Sequence, residues 1–365
     1  MVTEMSELEQ LEKETFEEDD STELPPPDVV AYNELRSCAD LFRMHKDGIL
    51  EIRPAFQRSI VWTDAAQTRF IDSLVKQLPI PSMCFSLDYK SQTWQVIDGL
   101  QRMFTIIRFL SGSGWTLSKL ADIDPKLAGK SVSGITNRKS ELYSYYTRVQ
   151  NLTLPITVLR CDYQKKSHSN YIFTIFHRLN SGGVKLNNQE IRNCIYSGPF
   201  NDFLKELDAN SNWLKINKME EPGDYRYTKQ ELILRFFAFH DSYESYHGRL
   251  AKFLNEYMAE HRYPSDDFIS EKRNLFERSV DIVYRDVFAG IIPPKLSISV
   301  LEATLVGVSF NLSYLEGQIE SNIQALYQRL KANEQFSEDN LREGLARKEK
   351  VIGRMSIAKG IFSGH

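Results

Sequence analysis

A group of polar residues follows a short apolar run at Trp94–Ile97 and could carry chemistry. Asp98 and Gly99 end the run, and Gln101 and Arg102 come where a helical pattern begins. Glycine has no Cβ, so a ligand or a backbone segment can approach it closely. The first N–H groups of a helix are unpaired and lie at the positive end of its dipole, which suits phosphate. The pattern predicts a phosphate site, in which Asp98 could hold a metal ion and Gln101 could orient a water molecule.

Arg102 supports this prediction, because the helix dipole disfavours a cation in the first turn unless an anion is bound nearby. A purely structural interpretation stays open at this point. In that interpretation Asp98 caps the helix and Arg102 is a surface arginine, and the spacing alone is compatible with both arrangements.

A second group of polar residues lies where a strand pattern runs into a loop. It consists of Arg53, Gln57 and Arg58. Two arginines five residues apart can form a fork on phosphate oxygens. The alternative is an ordinary solvated loop.

A third group, within His177–Gly183, follows a helical pattern. Arg178 and Asn180 precede the paired Gly182 and Gly183. Paired glycines could form an anion-binding nest of backbone N–H groups. A glycine C-cap of the preceding helix would account for the same residues.

Short strands and helices must position these three groups. Apolar periodicity and turn residues predict elements at Ile49–Arg58, Thr63 to Pro79, Ser82–Leu87, Thr93–Ile97, Leu100–Leu110, Leu152–Leu159 and Ser169–Leu179. Ser82–Leu87 and Thr93–Ile97 are predicted to form a hairpin, and Thr63 to cap a helix. Asn187 and Glu190 have the spacing of a capping box. Only helical patterns follow Trp213, so the order predicts an α+β protein with an all-helical second half.

The charge distribution separates the N-terminus from the rest of the chain. Residues 1–30 hold eleven acidic residues and one lysine, a net charge of −10, whereas the whole chain has −4, which leaves +6 for residues 31–365. We expect a flexible tail over 1–30, either solubilising or acting as an acidic arm that competes with nucleic acid. An α/β nucleotide-binding domain is expected at 31–200 and a helical domain at 201–365. The basic body is compatible with DNA but does not require it.

Several functions lack the residues that they need. The four cysteines and seven histidines are scattered without CxxC or HExxH spacing, and neither GxxxxGK[ST] nor GxSxG occurs. Asp88–Lys90 has the DxK spacing of some nucleases but falls at a hairpin tip, and His168–Asn170 is too short for a histidine–metal finger. No apolar run approaches the ~20 residues of a membrane span. The acidic N-terminus is unlike a secretory signal, so we expect a cytoplasmic protein without membrane contact.

Four segments resemble a known family in their order and spacing. They are RPAFQRSIVW (53–62), LPIPSMCF (78–85), VIDGLQRMFTI (96–106) and IFHRLNSGGVKLNNQEIRN (175–193). They are similar to the N-terminal domain of GmrSD-type, modification-dependent restriction systems, a member of the ParB/sulfiredoxin-like superfamily. The resemblance continues through ELILRF (231–236) and the closing helical segment.

The resemblance implies a small ParB-like α/β core with helical additions, and binding and hydrolysis of a nucleoside triphosphate with Mg²⁺. It also implies defence against foreign DNA together with an HNH-type nuclease, and a homo-oligomer is compatible with it. On this chain the catalytic residues would be Asp98, Gln101 and Arg102, with the metal ligands left unassigned. The nucleotide contacts would be Arg53, Gln57, Arg58, Asp98, Gly99, Gln101, Arg102, Arg178, Asn180, Gly182 and Gly183.

The chain departs from the family at Leu100, where the family usually has glutamine, so binding could persist without hydrolysis. No nuclease module is recognisable, so cleavage would require a partner. The leading interpretation is a nucleotide-binding, NTP-hydrolysing sensor or regulatory subunit of a DNA-targeting, anti-phage restriction system. One alternative is a DNA-binding or scaffold protein without NTPase activity. Another is a sulfiredoxin-like redox enzyme, which would need a cysteine that the Asp98–Arg102 turn lacks.

Overall fold

The computed structural model of the chain describes residues 24–52, 62–112, 114–179, 186–222, 227–337, 340–341 and 344–364. They form two compact units, the first within Glu23–Lys185 and the second beginning at Leu186. The first unit combines a sheet with helices, and the second is helical in its described residues. This arrangement confirms the predicted α+β class.

A mixed five-stranded sheet forms the centre of the first unit. Its strands are β1 (Val30–Ser37), β2 (Leu50–Glu51), β3 (Met83–Asp88), β4 (Thr93–Asp98) and β5 (Thr153–Cys161), in the order β1-β5-β3-β4-β2. β3 and β4 are antiparallel, as the predicted hairpin requires. β5 is parallel to β3 and antiparallel to β1, and β2 is parallel to β4. The carboxyl ends of β2 and β4 therefore point to the same end of the sheet.

Helices cover both faces of the sheet at β4. They are α1 (Cys38–Lys46), α2 (Asp64–Val75), α3 (Leu100–Leu110), α4 (Val132–Thr136), α5 (Tyr143–Asn151) and α6 (Lys166–Leu179). Phe85, Val96 and Ile156 pack into one core with apolar side chains of α1, α2, α3 and α5. On the other face α6 packs against β4. The hydroxyl of Tyr163, just before α6, donates to Gln95 Oε1 at 3.0 Å.

The two helices beside the candidate phosphate site form for reasons that are visible in the sequence. The Thr63 side chain caps α2 and accepts a hydrogen bond from the Ala66 N–H at 3.3 Å, which confirms the predicted cap. α3 has the predicted bounds. Its buried residues Met103, Ile106 and Leu110 are three and four positions apart and form one apolar face.

The second unit consists of α7 (Asn188–Ile195), α8 (Pro199–Leu207), α9 (Ser211–Ile216), α10 (Thr228–Ser242), α11 (Leu250–Glu260), α12 (Asp266–Ile282), α13 (Ile298–Phe310), α14 (Leu312–Leu315), α15 (Glu320–Ala332) and α16 (Lys348–Phe362). Shorter 3₁₀ and π turns extend or join some of them. The capping box is confirmed: the Asn187 side chain accepts from the Glu190 N–H, and the Glu190 carboxylate accepts from the Asn187 N–H, both at 2.8 Å.

A glycine allows α13 and α16 to pack closely. A Cβ added at Gly307 would lie 2.7 Å from the Phe362 ring and 2.8 Å from the carbonyl oxygen of Ala358. Real Cβ atoms do not come this close to backbone oxygens, so a larger residue would force the two helices apart.

A buried ion-pair network holds α7, α10 and α11 together. The carboxylate of Glu231 accepts from Arg192 Nη1 at 2.8 Å and from Arg235 Nη2 at 2.6 Å, and Arg192 Nε donates to Asn255 Oδ1 at 3.0 Å. Burial alone would raise the pKa of Glu231, but the charges of Arg235 and Arg192 outweigh it and hold the pKa at about 2. The part of the family resemblance at 231–236 thus falls on a structural network.

Candidate functional site

Gly99 is the N-cap of α3, and both its backbone and its packing require glycine. Its φ is 95°, in the left-handed region. A Cβ there would lie 2.5 Å from Cγ of Met83, which is itself buried. The predicted close approach to this glycine is therefore made by a side chain of β3.

Asp98 does not cap α3, so the structural interpretation of its carboxylate was wrong. Gly99 occupies the cap position and has no side chain to offer. The Asp98 carboxylate instead accepts from Arg102 Nη2 at 2.7 Å. The first backbone hydrogen bond of α3 runs from the Met103 N–H to the Gly99 carbonyl at 2.8 Å. The N–H groups of Leu100, Gln101 and Arg102 thus begin the helix without a side-chain cap from the N-cap residue.

Arg102 is not a surface arginine, so the alternative interpretation was wrong on this point too. Its side chain is 14% exposed, against 36% for that of Asp98. Besides the ion pair, Arg102 Nη1 donates to the Pro81 carbonyl at 2.5 Å. Pro81 lies just before β3 and Asp98 ends β4, so Arg102 connects the two strands where they meet α3. The cation in the first helical turn has a counter-charge within the chain itself.

Gln101 contacts the chain that returns from the second polar group. The Trp62 N–H donates to Gln101 Oε1 at 3.4 Å, and Gln67 Nε2 donates to the Trp62 carbonyl at 2.9 Å. Leu100, which precedes Gln101 in the helix, is partly buried against the main core. The residue that replaces the family's usual glutamine therefore contributes to packing.

The described residues on either side of the second group, Ile52 and Trp62, lie at the same end of the sheet. β2 is paired with β4, Leu50 lying beside Trp94 and Glu51 beside Gln95, and both strands run toward the Asp98 end. The chain leaves β2 in that direction and returns at Trp62, beside Gln101. We call this region, which consists of Asp98–Arg102 with Ile52 and Trp62, the β4 edge.

Several predicted site residues lie outside the described part of the chain. These are Arg53, Gln57 and Arg58, between β2 and α2, and Asn180, Gly182 and Gly183, after α6. Arg178 is described, and it is exposed in the last turn of α6. Asp98, Gly99, Gln101 and Arg102 lie at the β4 edge, at the end of β4 and the start of α3.

A polar row that sequence reasoning missed extends from the β4 edge toward β1. Arg102 Nη1 also approaches the Ser82 carbonyl at 3.4 Å. The Ser82 hydroxyl lies 3.2 Å from Thr157 Oγ1, and Thr157 donates to Asn33 Oδ1 at 2.9 Å. The row crosses β3, β5 and β1, which are distant in sequence, so no local pattern could have indicated it.

Cys84 is a second residue that sequence reasoning missed at this edge. It lies opposite Asp98 in the β3–β4 pair and is buried. Burial raises the pKa of its thiol to about 12, with a further contribution from the Asp98 charge. A thiol in this state is protonated at neutral pH and a poor nucleophile, which disfavours redox chemistry at the edge.

The two nuclease-like fragments have structural roles. The Asp88 carboxylate accepts from the Lys90 N–H at 3.1 Å and from the Ser91 hydroxyl at 2.8 Å, which closes the hairpin. Nδ1 of buried His168 accepts from the Asp162 N–H at 3.0 Å, so its Nε2 carries the proton and donates to Asp28 at 2.8 Å. Across the described ranges, no cluster of three or more histidine, cysteine or acidic residues could hold a metal ion.

Comparison with known families decides the identity of the segment that contains the β4 edge. Residues 38–197 match the family model described as the GmrSD restriction endonuclease, N-terminal domain. This segment belongs to that family. The GmrSD N-terminal domain begins at α1 and extends just beyond α7. The match confirms the resemblance of the four sequence segments.

The GmrSD domain match covers less than half of the chain. No curated protein and no solved structure matches the chain. In the part that the structure describes, every helix is too short or too polar to cross a membrane.

Proposed function

We propose that this chain is a nucleotide-binding sensor or regulatory subunit of a restriction system, with a nucleoside triphosphate bound at the β4 edge. The proposal rests mainly on what lies around the first turn of α3. The start of α3, where the N-cap Gly99 offers no side chain, lies close to Ile52 and Trp62, the described residues on either side of the segment that contains Arg53 and Arg58. Helix N-termini and arginine forks are two of the common ways in which proteins bind phosphate.

α6 supports the placement of Arg178 at the same edge. Tyr163, just before α6, contacts Gln95 near the amino end of β4, and α6 packs against that strand. A helix of 14 residues is about 21 Å long, and a strand of six residues has nearly the same length. A helix that runs back along β4 would bring its last turn, which holds Arg178, to the β4 edge.

The residues at the edge suit a magnesium–nucleotide complex. Mg²⁺ is usually held by one or two carboxylates together with substrate phosphates. Asp98 is partly exposed and would supply such a carboxylate. When bound, the ion would neutralise phosphate charge. Arg102, released in part from Asp98, would then donate to a phosphate oxygen from the position where Pro81 already orients its guanidinium group.

Hydrolysis would depend on Gln101, whose amide could orient a water molecule toward the terminal phosphate. Leu100 is partly buried and cannot take part in such an arrangement. We therefore infer slow turnover, so that the bound nucleotide acts as a signal for a partner, an HNH-type nuclease that would cut the DNA.

The second candidate is a DNA-binding or scaffold protein that keeps the fold without NTPase activity. Leu100 in place of glutamine and the +6 charge of residues 31–365 favour it. The two candidates differ in whether any nucleotide binds.

Calorimetry with ATP, GTP, CTP and UTP, each with and without Mg²⁺, tests the proposal. At least one nucleotide should bind, and Arg58→Ala should weaken its affinity roughly 10- to 150-fold, the value of one charge-assisted bond. Arg138→Ala is the matched control, because Arg138 is exposed between α4 and α5. If no nucleotide binds, or both variants bind like the parent, the β4 edge is not a nucleotide site.

A further inference from the structure

β1 is an edge strand with an unusual number of exposed apolar side chains. Val30, Tyr32 and Leu35 are all exposed, and Leu35 is 71% exposed. β1 pairs with β5 on one side, and among the described residues no strand pairs with its other side. An open edge of this kind presents N–H and C=O groups to a further strand, and proteins usually blunt such edges with charge or proline.

The direction of the backbone groups of β1 follows from its register. The Cys38 N–H donates to the Leu152 carbonyl at 3.0 Å, and the register of β1 and β5 continues from this pair without a bulge. In an antiparallel pair, hydrogen-bonded positions alternate. The even-numbered residues of β1 therefore bond to β5. Ala31, Asn33 and Leu35 direct their N–H and C=O groups to the open edge.

We propose that two copies of this chain join through antiparallel pairing of their β1 strands, about a two-fold axis at Asn33. Ala31 of each copy then lies opposite Leu35 of the other, and the two Asn33 residues face each other. Three residue pairs form six backbone hydrogen bonds. The pairing places the partner's strand beside the exposed Leu35 of each copy. Two-fold dimers are the commonest symmetric assemblies.

Charge disfavours the register in which the two-fold axis is shifted to Glu34. An axis there would place the two Glu34 side chains directly opposite each other, which is destabilising in a sheet. The axis at Asn33 instead places Glu34 opposite Tyr32 and Arg36 opposite Val30, so no like charges meet.

The ends of the strand disfavour the two remaining registers. An axis at Leu35 needs Ser37, the last residue of β1, where the chain already turns into α1 at Cys38. An axis at Tyr32 needs Val29, whose N–H donates to the Pro26 carbonyl at 3.1 Å. The axis at Asn33 uses only groups inside the strand.

Sedimentation equilibrium of the full chain, without nucleotide, tests the dimer. The parent should show a concentration-dependent dimer. Asn33→Pro removes an outward N–H without touching the β5 ladder, and Leu35→Lys adds a charge to the edge. Both should be monomeric, whereas Ile291→Lys, which changes a residue 78% exposed in the second unit, should dimerise like the parent. A parent that is monomeric at every concentration, or variants that still dimerise, would overturn the proposal.

Disulfide trapping tests the register even if a variant folds poorly. Asn33→Cys should form a covalent dimer under mild oxidation, because hydrogen-bonded antiparallel partners have Cα atoms about 5.5 Å apart. Leu35→Cys should not, since its two copies would be about 14 Å apart. The four native cysteines are buried and should not interfere. Trapping through Leu35→Cys alone would show that the proposed axis is wrong.

Discussion

Replacement of Arg102 by alanine separates a stabilising role from a phosphate-binding role. The side chain has two partners in the free protein, the Asp98 carboxylate at 2.7 Å and the Pro81 carbonyl at 2.5 Å. A hydrogen bond from a charged group is worth at most about 1.5–3 kcal/mol, and less here because Pro81 is exposed, whereas an ion pair with a partly exposed carboxylate is worth only about 0–1 kcal/mol. Because Asp98 is about one-third exposed, we expect a total loss of about 2 kcal/mol.

A loss of this size is measurable by thermal unfolding. For a unit of this length, each kcal/mol lowers Tm by about 2–4 °C, so Arg102→Ala should lower it by about 4–8 °C. Arg69→Ala is the control, because Arg69 on α2 forms an ion pair with Asp122 at 2.7 Å and both side chains are more than half exposed. That variant should lose about 1 kcal/mol or less.

Nucleotide affinity of the same variants is measured at a temperature at which Arg102→Ala is folded. If Arg102 also binds phosphate, Arg102→Ala should weaken nucleotide affinity about 10- to 150-fold, while Arg69→Ala should not. A Tm change equal to that of Arg69→Ala would refute the stabilising role. Unchanged nucleotide affinity in a folded Arg102→Ala protein would refute the phosphate-binding role but not the stabilising role.

The remaining predictions concern four other positions. Gly99→Ala should destabilise the first unit by about 1–3 kcal/mol in chemical denaturation, because of its positive φ and its contact with Met83. Gly307→Ala should cost about 1–3 kcal/mol by overpacking α13 against α16, and no loss would mean that the helices yield freely. The pKa of Glu231 is about 2 in the folded chain, below its ordinary 4.5, so stability should fall as the pH drops from about 4.5 to about 2; Glu231→Gln should flatten that profile. Leu100→Gln should raise the NTPase rate if a glutamine pair positions water, and an unchanged rate would count against that role.

The local elements of the first unit were predictable, and the long-range contacts were not. α3 and the hairpin follow from apolar spacing and from the turn at Asp88, and the structure confirms both. The partner of Arg102 could not be predicted, because Pro81 is 21 positions away and meets it only through the fold. β1 was missed because its exposed side chains lack the alternation of a half-buried strand. Its pairing with β5 depends on residues more than 100 positions away.

The four buried cysteines can be used to measure local opening in different regions of the chain. Cys38, Cys84 and Cys161 lie in the first unit and Cys194 in the second, and all four are buried. Because they are buried, a thiol reagent can reach them only when the surrounding structure opens. Burial also raises the pKa of the first three to about 12, so they react little while buried. The rate at which each cysteine is modified would give the opening free energy of its own region. Ligand binding at the β4 edge should slow the modification of Cys84 and leave that of Cys194 unchanged.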